Sequence, residues 1–394
     1  MIFDNTKSIF LSIYNGPIKK LKSLIIQLLI ICFFFSCSES IHIKNNHAQK
    51  ISLAHKYQND FLVGAAINEN QILQTDQQSV SIIKNNFNTI SPENVMKWMY
   101  VHPKPNTFYF DQSDKYVQFG LDNNMHIVGH ALIWHAQIAD FMNTTKDSTE
   151  MREHINNHIS TMVKRYKGKI DTWDVVNEAL NEDGTLRESI FLNVLGEGYL
   201  EDVYKLAEKN DPDADLAYND YNLCEPEKRE GALKLIKSLQ QSGAKINSIG
   251  IQAHWQLNTP TLKEIEKSIL DFSKLGINVM FTELDISVLP NPWELSGAEV
   301  TQNFEKFEGD EKMSPYPNKL PDSMKLKLAE RYKNIFELFL KHKDKISRVT
   351  FWGVTDKFSW LNDWPIKGRT NYPLLFDRNY RAKKAYQSII NLKK

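Results

Sequence analysis

Cysteine is scarce in this 394-residue chain: Cys32, Cys37 and Cys224 are the only three. Two of them precede residue 38, so a body folded from the remainder can hold no internal disulfide framework and must be stable on its core. Net charge is missing as well. Lys and Arg number 48, Asp and Glu 48, and no basic stripe breaks the balance, which removes the electrostatic footprint of a nucleic-acid partner. The histidines do not recur at zinc-ligand spacing. No glycine-rich loop follows a strand as a phosphate cradle requires. Neither metal nor cofactor is expected. Internal repeats and a second-domain linker are also lacking. What remains is a chain 42% hydrophobic and rich in aromatics, with 8 Trp, 15 Tyr and 21 Phe, long enough for one large α/β barrel or two ordinary domains.

The one long apolar run lies near the N-terminus. Lys19-Lys20-Leu21-Lys22 precede Leu24–Phe35, interrupted only by Gln27. A charged stretch followed by an apolar run of this length reads as a signal peptide over 1–36, too short for a comfortable membrane span. Ser36-Cys37 follow at once and resemble a bacterial lipoprotein processing site. That resemblance implies export, with Cys37 as the lipidated first residue and 37–50 as a polar tether. Membrane contact is then expected only through that lipid. The alternative is ordinary secretory cleavage nearby, with Cys37 a bystander.

From about residue 51 short apolar strands alternate with amphipathic helices, the pattern of a parallel α/β barrel. Strands are expected at Phe61–Ile67, Phe87–Ser91, His126–Leu132, a segment ending at Glu178, Leu216–Asn222, Ser248–Gln252, Val279–Ile286 and Arg348–Val354. Helices are expected over about 71–85, 149–165, 192–209 and 226–242, from Thr259-Pro260 to about 275, and from about Ala382. Eight strands predict a single (β/α)8 domain over 51–394. Residues 290–321, rich in Pro, Asn and Glu and containing Trp293, form a long excursion where barrels place substrate-shaping loops.

Two of these strands end in a carboxylate. Thr172-Trp173-Asp174-Val175-Val176 runs apolar and then turns polar at Asn177-Glu178, and Val279-Met280-Phe281-Thr282 leads into Glu283. Chemistry in barrels sits at the C-terminal strand ends. Paired carboxylates are what glycosidic cleavage needs, one to protonate the leaving oxygen and one to attack the anomeric carbon or activate water. A single glutamate carries little weight, since most are simply exposed.

Seven blocks, each at a strand end, raise that weight. They are Glu93 through Trp98, Gly129-His130 through Gln137, Trp173 through Ala179, Tyr218 through Asn222, Gly250-Ile251-Gln252, Thr282 through Ile286, and Trp352-Gly353-Val354 through Trp360. In this order they resemble glycoside hydrolase family 10, the endo-β-1,4-xylanases, across about residues 55–392. The resemblance implies Glu178 as general acid and base and Glu283 as nucleophile of a retaining reaction, with carboxyl groups about 5–5.5 Å apart. It implies that Asp285 orients His254, that His254 bonds Glu283, and that Asn177 binds the sugar 2-hydroxyl. Lys97, His130 and Gln252 are implied partners for sugar hydroxyls, and Glu93 and Asn94 for the next sugar along. Trp134, Trp352 and Trp360 would wall and floor the groove, with Tyr221 on the leaving-group side. Asn68 and Gln71 are expected to support the groove rather than react.

The substrate so implied is xylan or xylo-oligosaccharide, and the chain is expected to be monomeric. Two alternatives remain: a barrel glycosidase acting on another β-glucan or on short xylo-oligosaccharides, and a surface lipoprotein that binds glycan without cutting it. The departures from the family pattern are mild. Ala253 stands where Gly is usual and Ala131 where Thr is common.

Overall fold

The computed structural model describes residues 52–292, 294–295, 300, 302 and 304–393. The segments read as signal peptide and tether, Cys37 and Trp293 lie outside the described residues. Nine strands occur among those described: β1 (Leu62–Ile67), β2 (Thr89–Pro92), β3 (His126–Trp134), β4 (Thr172–Asn177), β5 (Asp215–Asp220), β6 (Ser248–Ile251), β7 (His254–Gln256), β8 (Asn278–Ser287) and β9 (Ile346–Phe351). All pairings between them are parallel. β6 joins β8 and β9 joins β1, so eight strands close into a barrel, while the three-residue β7 pairs only with the end of β8. This is the expected (β/α)8 barrel.

Helices cover the outside and are locked to the barrel by buried tyrosines. Tyr116, on helix Asp111–Asp122, places its hydroxyl 2.9 Å from the Ile90 carbonyl of β2 and 2.8 Å from that of Val128 in β3. Tyr204, on helix Tyr199–Asn210, donates to the Ala217 carbonyl of β5 at 3.0 Å. Helix Asp322–Lys341 covers β8 and β9 through stacked aromatics, with Phe339 on Phe281 at 4.0 Å and Phe336 on Phe351 at 6.1 Å. The sequence pattern left 111–122 and 322–341 unmarked, and both prove to be full core helices.

Other expectations are corrected by local chemistry. The helix expected over 71–85 is two, Glu69–Ile72 and Gln77–Asn86. Gln74 has φ +55° between them, and Asp76 caps the second by accepting from the Ser79 amide. The helix expected over 192–209 breaks at Gly196, φ +70°, into Ile190–Leu195 and Tyr199–Asn210. Thr259-Pro260 does not cap the next helix. Thr261 does, in a reciprocal pair with Glu264 that opens Leu262–Ser273.

Two glycines set how closely strands and side chains meet at the working end. A Cβ on Gly129 would lie 2.1 Å from the fully buried Trp173 ring, and one on Gly250 would lie 2.3 Å from Asn219 Oδ1. Below that end the barrel interior is polar in part. Arg348 is buried there, with Thr350 Oγ1 at 3.1 Å and Met280 Sδ at 3.3 Å.

Candidate active site

Register brings the polar strand ends together. Trp134 of β3 pairs with Asn177 of β4, Asn177 with Asn219 of β5, and Asn219 with Gly250 of β6. Glu178 is the first residue past β4 and has φ +59°, an unfavourable conformation for a side chain with a Cβ. Three hydrogen bonds hold it there. The Glu178 amide donates to the Asn219 carbonyl at 2.9 Å, the Ala179 amide to Tyr218 Oη at 3.1 Å, and Arg187 Nε to the Glu178 carbonyl at 3.0 Å.

The Glu178 carboxylate is buried among neutral donors. Trp134 Nε1 reaches Oε2 at 2.8 Å, while Gln252 Nε2 and Asn177 Nδ2 reach Oε1 at 2.9 and 3.0 Å. Glu283, also buried, has a different shell. Asn219 Nδ2 donates to Oε1 at 2.7 Å, and His254 Nε2 lies 3.1 Å from Oε2. On its other side His254 Nδ1 forms an ion pair with Asp285 Oδ1 at 3.1 Å, and Trp360 Nε1 fixes Asp285 Oδ2 at 2.7 Å. His254 thus stands between Asp285 and Glu283, within 3.1 Å of each. Burial works to raise the Glu283 carboxyl, but the His254 bond, the fields of His130 and His254, and the Asn219 amide outweigh it and hold Glu283 below the usual carboxylate range. Burial likewise opposes charge on His254, yet Asp285 and Glu283 push it up to about 10.

Asn219 connects the two carboxylates. Its amide nitrogen also lies 2.9 Å from Asn177 Oδ1, and its own oxygen is held by Thr282 Oγ1 at 2.6 Å. His130 is oriented by Asp174 at 2.9 Å and meets the Trp352 ring edge-on at 5.5 Å. Lys97 is buried, donates to Gln137 at 2.8 Å and Asn94 at 3.0 Å, and lies over the Trp134 ring. Burial lowers the Lys97 ammonium pKa against the opposing pull of Glu93, Glu283 and Glu178. Trp360 stacks on Trp364 at 4.4 Å. Tyr221 is only 2% exposed. Its ring lies under the Lys228 ammonium, 3.4 Å from the centroid, and its hydroxyl accepts from Arg187. Asn68 and Gln71 form a capping box for helix Glu69–Ile72.

Two cavities adjoin this cluster. One of 680 Å³ takes in Glu93 and Asn94, and one of 360 Å³ takes in His254, Asp285, Asn222 and Trp364. Sequence reasoning passed over Asn219, Asp174 and Gln137 as site residues, although Asn219 ends a strand in the same row as Asn177. It also passed over Asp220, Tyr218 and Lys228. Lys228 is fully buried, 3.0 Å from Asp220 and 3.1 Å from Glu182, and Tyr218 donates to Asp220 at 2.5 Å. Burial pushes Asp220 up to about 6 despite Lys228. No sequence signal marks a lysine from a neighbouring helix as the partner of a strand-end aspartate.

A parallel barrel with buried carboxylates, amides and indoles gathered at its strand ends defines a barrel glycoside hydrolase. The profile of Glycosyl hydrolase family 10 matches residues 52–392, and the chain belongs to that family. Among its relatives, Endo-1,4-beta-xylanase A of Xylanibacter ruminicola is 41% identical, with 84% of this chain and 90% of that protein aligned. A Beta-1,4-xylanase of Dictyoglomus thermophilum is 40% identical over 86% of this chain and 90% of its own length. Among solved structures, a GH10 endoxylanase from a sugarcane soil metagenome superposes with TM-score 0.82 at 39% identity, covering 88% of this chain and all of that one.

Proposed function

We propose that the chain is a retaining endo-β-1,4-xylanase, with Glu283 as nucleophile and Glu178 as general acid and base. The contrast between the two carboxylate shells carries the assignment. Cationic support gathers on Glu283, favouring the ionised form that an attacking carboxylate needs, whereas the hydrogen-bond donors to Glu178 are neutral. In the first step a Glu283 oxygen bonds to the anomeric carbon as the glycosidic C–O bond breaks, and Glu178 gives its proton to the leaving oxygen. In the second, water loses a proton to Glu178 and attacks the anomeric carbon, releasing Glu283. Asn177, at the Glu178 side of the Asn219 bridge, is poised for the 2-hydroxyl. Lys97, His130 and Gln252 take further hydroxyls, Glu93 and Asn94 the next sugar, and Trp134, Trp352 and Trp360 the apolar sugar faces. Tyr221, expected to meet a sugar on the leaving-group side, is instead buried beneath Lys228 with its hydroxyl bonded to Arg187, and so braces that wall without offering its ring to the substrate.

Reducing-end release from glucuronoxylan and arabinoxylan, for wild type beside Glu283→Ala and Glu178→Ala, tests this reading. Release by wild type and collapse in both variants is expected, with azide rescuing Glu283→Ala as the inverted glycosyl azide. Hydrolysis of another β-glucan but not xylan would discard the substrate and keep the mechanism. Binding without cleavage would make the chain a lectin. The same reading includes export and a lipid on Cys37, which rests on the N-terminal sequence. The intact mass of the mature membrane-fraction protein checks it, and an unlipidated chain starting beyond Cys37 would overturn it.

A further inference from the structure

Strand β5 works on both faces, because successive side chains of a strand point opposite ways. Asn219 turns toward Glu283 and Asn177. Tyr218 and Asp220, on either side of it, turn the other way and meet Lys228 of helix Pro226–Gln241. All three are fully buried. Their donors and acceptors run in one direction. The Ala179 amide donates to Tyr218 Oη at 3.1 Å, so the single Tyr218 proton goes to the other neighbour, Asp220 Oδ2, at 2.5 Å. Burial and the charge of Asp220 hold the Tyr218 hydroxyl well above its ordinary pKa, and it keeps that proton. Asp220 must then accept, as an ionised carboxylate does with both oxygens. Its other oxygen takes the Lys228 ammonium at 3.0 Å and the Tyr221 amide at 2.8 Å. Burial pushes Asp220 up to about 6, with Glu178 adding to it and Lys228 and Tyr218 opposing. Lys228, shared with Glu182 at 3.1 Å, therefore helps to keep the acceptor charged near neutral pH.

The near end of this chain of bonds is the peptide that carries the general acid. Glu178 has φ +59°, and the Ala179 amide is the next donor along the backbone. Glu283 takes its support from Asn219 and His254 instead. We propose that Tyr218 and Asp220 are positioning residues for Glu178, which orient its peptide through the Ala179 amide and so serve the two proton transfers of the reaction but not the attack by Glu283. The inference rests on the xylanase reading and deepens it by naming what aims the acid.

The test uses the full chain with two aryl β-xylobiosides. Phenolate is a poor leaving group and needs the Glu178 proton, whereas 2,4-dinitrophenolate departs without one. Tyr218→Phe removes the hydroxyl but keeps the ring and the Asp220–Lys228 pair. Its kcat/KM on the phenyl bioside falls roughly 5- to 100-fold, the loss expected when one buried donor is left without a partner. On the dinitrophenyl bioside kcat/KM stays within about twofold of wild type, since that step needs no proton. Water still needs Glu178 as base in the second step, so on this substrate kcat and KM fall together as the glycosyl-enzyme accumulates. Azide has no proton to remove. It bonds to the anomeric carbon as the bond to Glu283 breaks, restores kcat and gives the glycosyl azide of retained configuration. Asp220→Asn, equal in size but uncharged, shows the same selectivity between the substrates. An equal loss on both substrates, no loss on the phenyl bioside, or an inverted glycosyl azide overturns the positioning role. A wild type inert on both biosides overturns the xylanase reading and this inference with it.

Discussion

Asn219 is the residue through which Glu178 and Glu283 share one network, since its amide reaches both Glu283 and the oxygen of Asn177. Replacing it with Ala removes a hydrogen bond to a charged group, worth about 1.5–3 kcal/mol. Asn219→Ala should therefore lower kcat/KM on xylan roughly 10- to 100-fold with the fold intact by circular dichroism. Gly250→Ala should act on the same group from behind, because the new Cβ would meet Asn219 Oδ1 at 2.3 Å. Ala253 poses the opposite case. It has φ +66° beside the site, a conformation that costs a residue with a Cβ roughly 1–2 kcal/mol, against about 0.4–1 kcal/mol for the extra chain freedom of glycine. Ala253→Gly should raise unfolding stability by roughly 0.5–1 kcal/mol in urea titrations. A loss of stability would show that the position is unstrained.

Helix Pro226–Gln241 meets the end of β5 through a buried ion pair, Lys228 on Asp220. The ammonium also covers Tyr221, and Tyr218 passes from Asp220 to the Ala179 amide next to Glu178. Removing one partner of a buried ion pair costs about 3–5 kcal/mol. Lys228→Met should lower stability by that order in denaturant titrations. Helix Leu262–Ser273 is a simpler case. Its Thr261–Glu264 box lies on the surface, so Thr261→Ala should cost about 1 kcal/mol of stability and leave xylan hydrolysis unchanged. At this scale the strands were the most legible elements. Val175-Val176 and Val279 through Phe281 are apolar runs that only a strand buried on both faces makes sense of. Helix 322–341 escaped notice because it follows a Pro-rich excursion and buries Phe336 and Phe339 only by meeting strands far away in sequence.

The whole molecule carries two opposing sets of histidines. Burial lowers His102 and His126 to about 4, and lowers His158, fully buried and stacked on Trp98 at 3.9 Å, well below its ordinary value. An unfolded chain takes up protons at these groups near pH 6.5 while the folded one does not. Their contribution is present above pH 6.5 and is lost as pH falls toward 4. His254 runs the other way. Its pKa is raised to about 10, so its contribution is complete below pH 6.5 and is lost as pH rises through 10. Melting temperature should therefore peak near neutrality and fall on both sides. His158→Phe, which keeps a ring against Trp98, should lose less melting temperature between pH 7 and 4.5 than wild type. An identical acid slope would show that His158 does not contribute.

The sequence by itself determined the barrel, because eight apolar runs at helix-separated spacing leave few other ways to bury them. It also marked Glu178 and Glu283, because polar residues closing apolar strands conflict with local packing unless they serve a site, whereas His254 and Asp285 were implied only by the family resemblance. Tertiary structure alone decided which partners those groups have. Asn219 comes to Glu283 and Trp360 to Asp285 through barrel closure and strand register. Such contacts join residues dozens of positions apart, and local pattern holds no record of them. The opposed shells of the two carboxylates, and the cavity beyond Asn94, exist only once the strands have met.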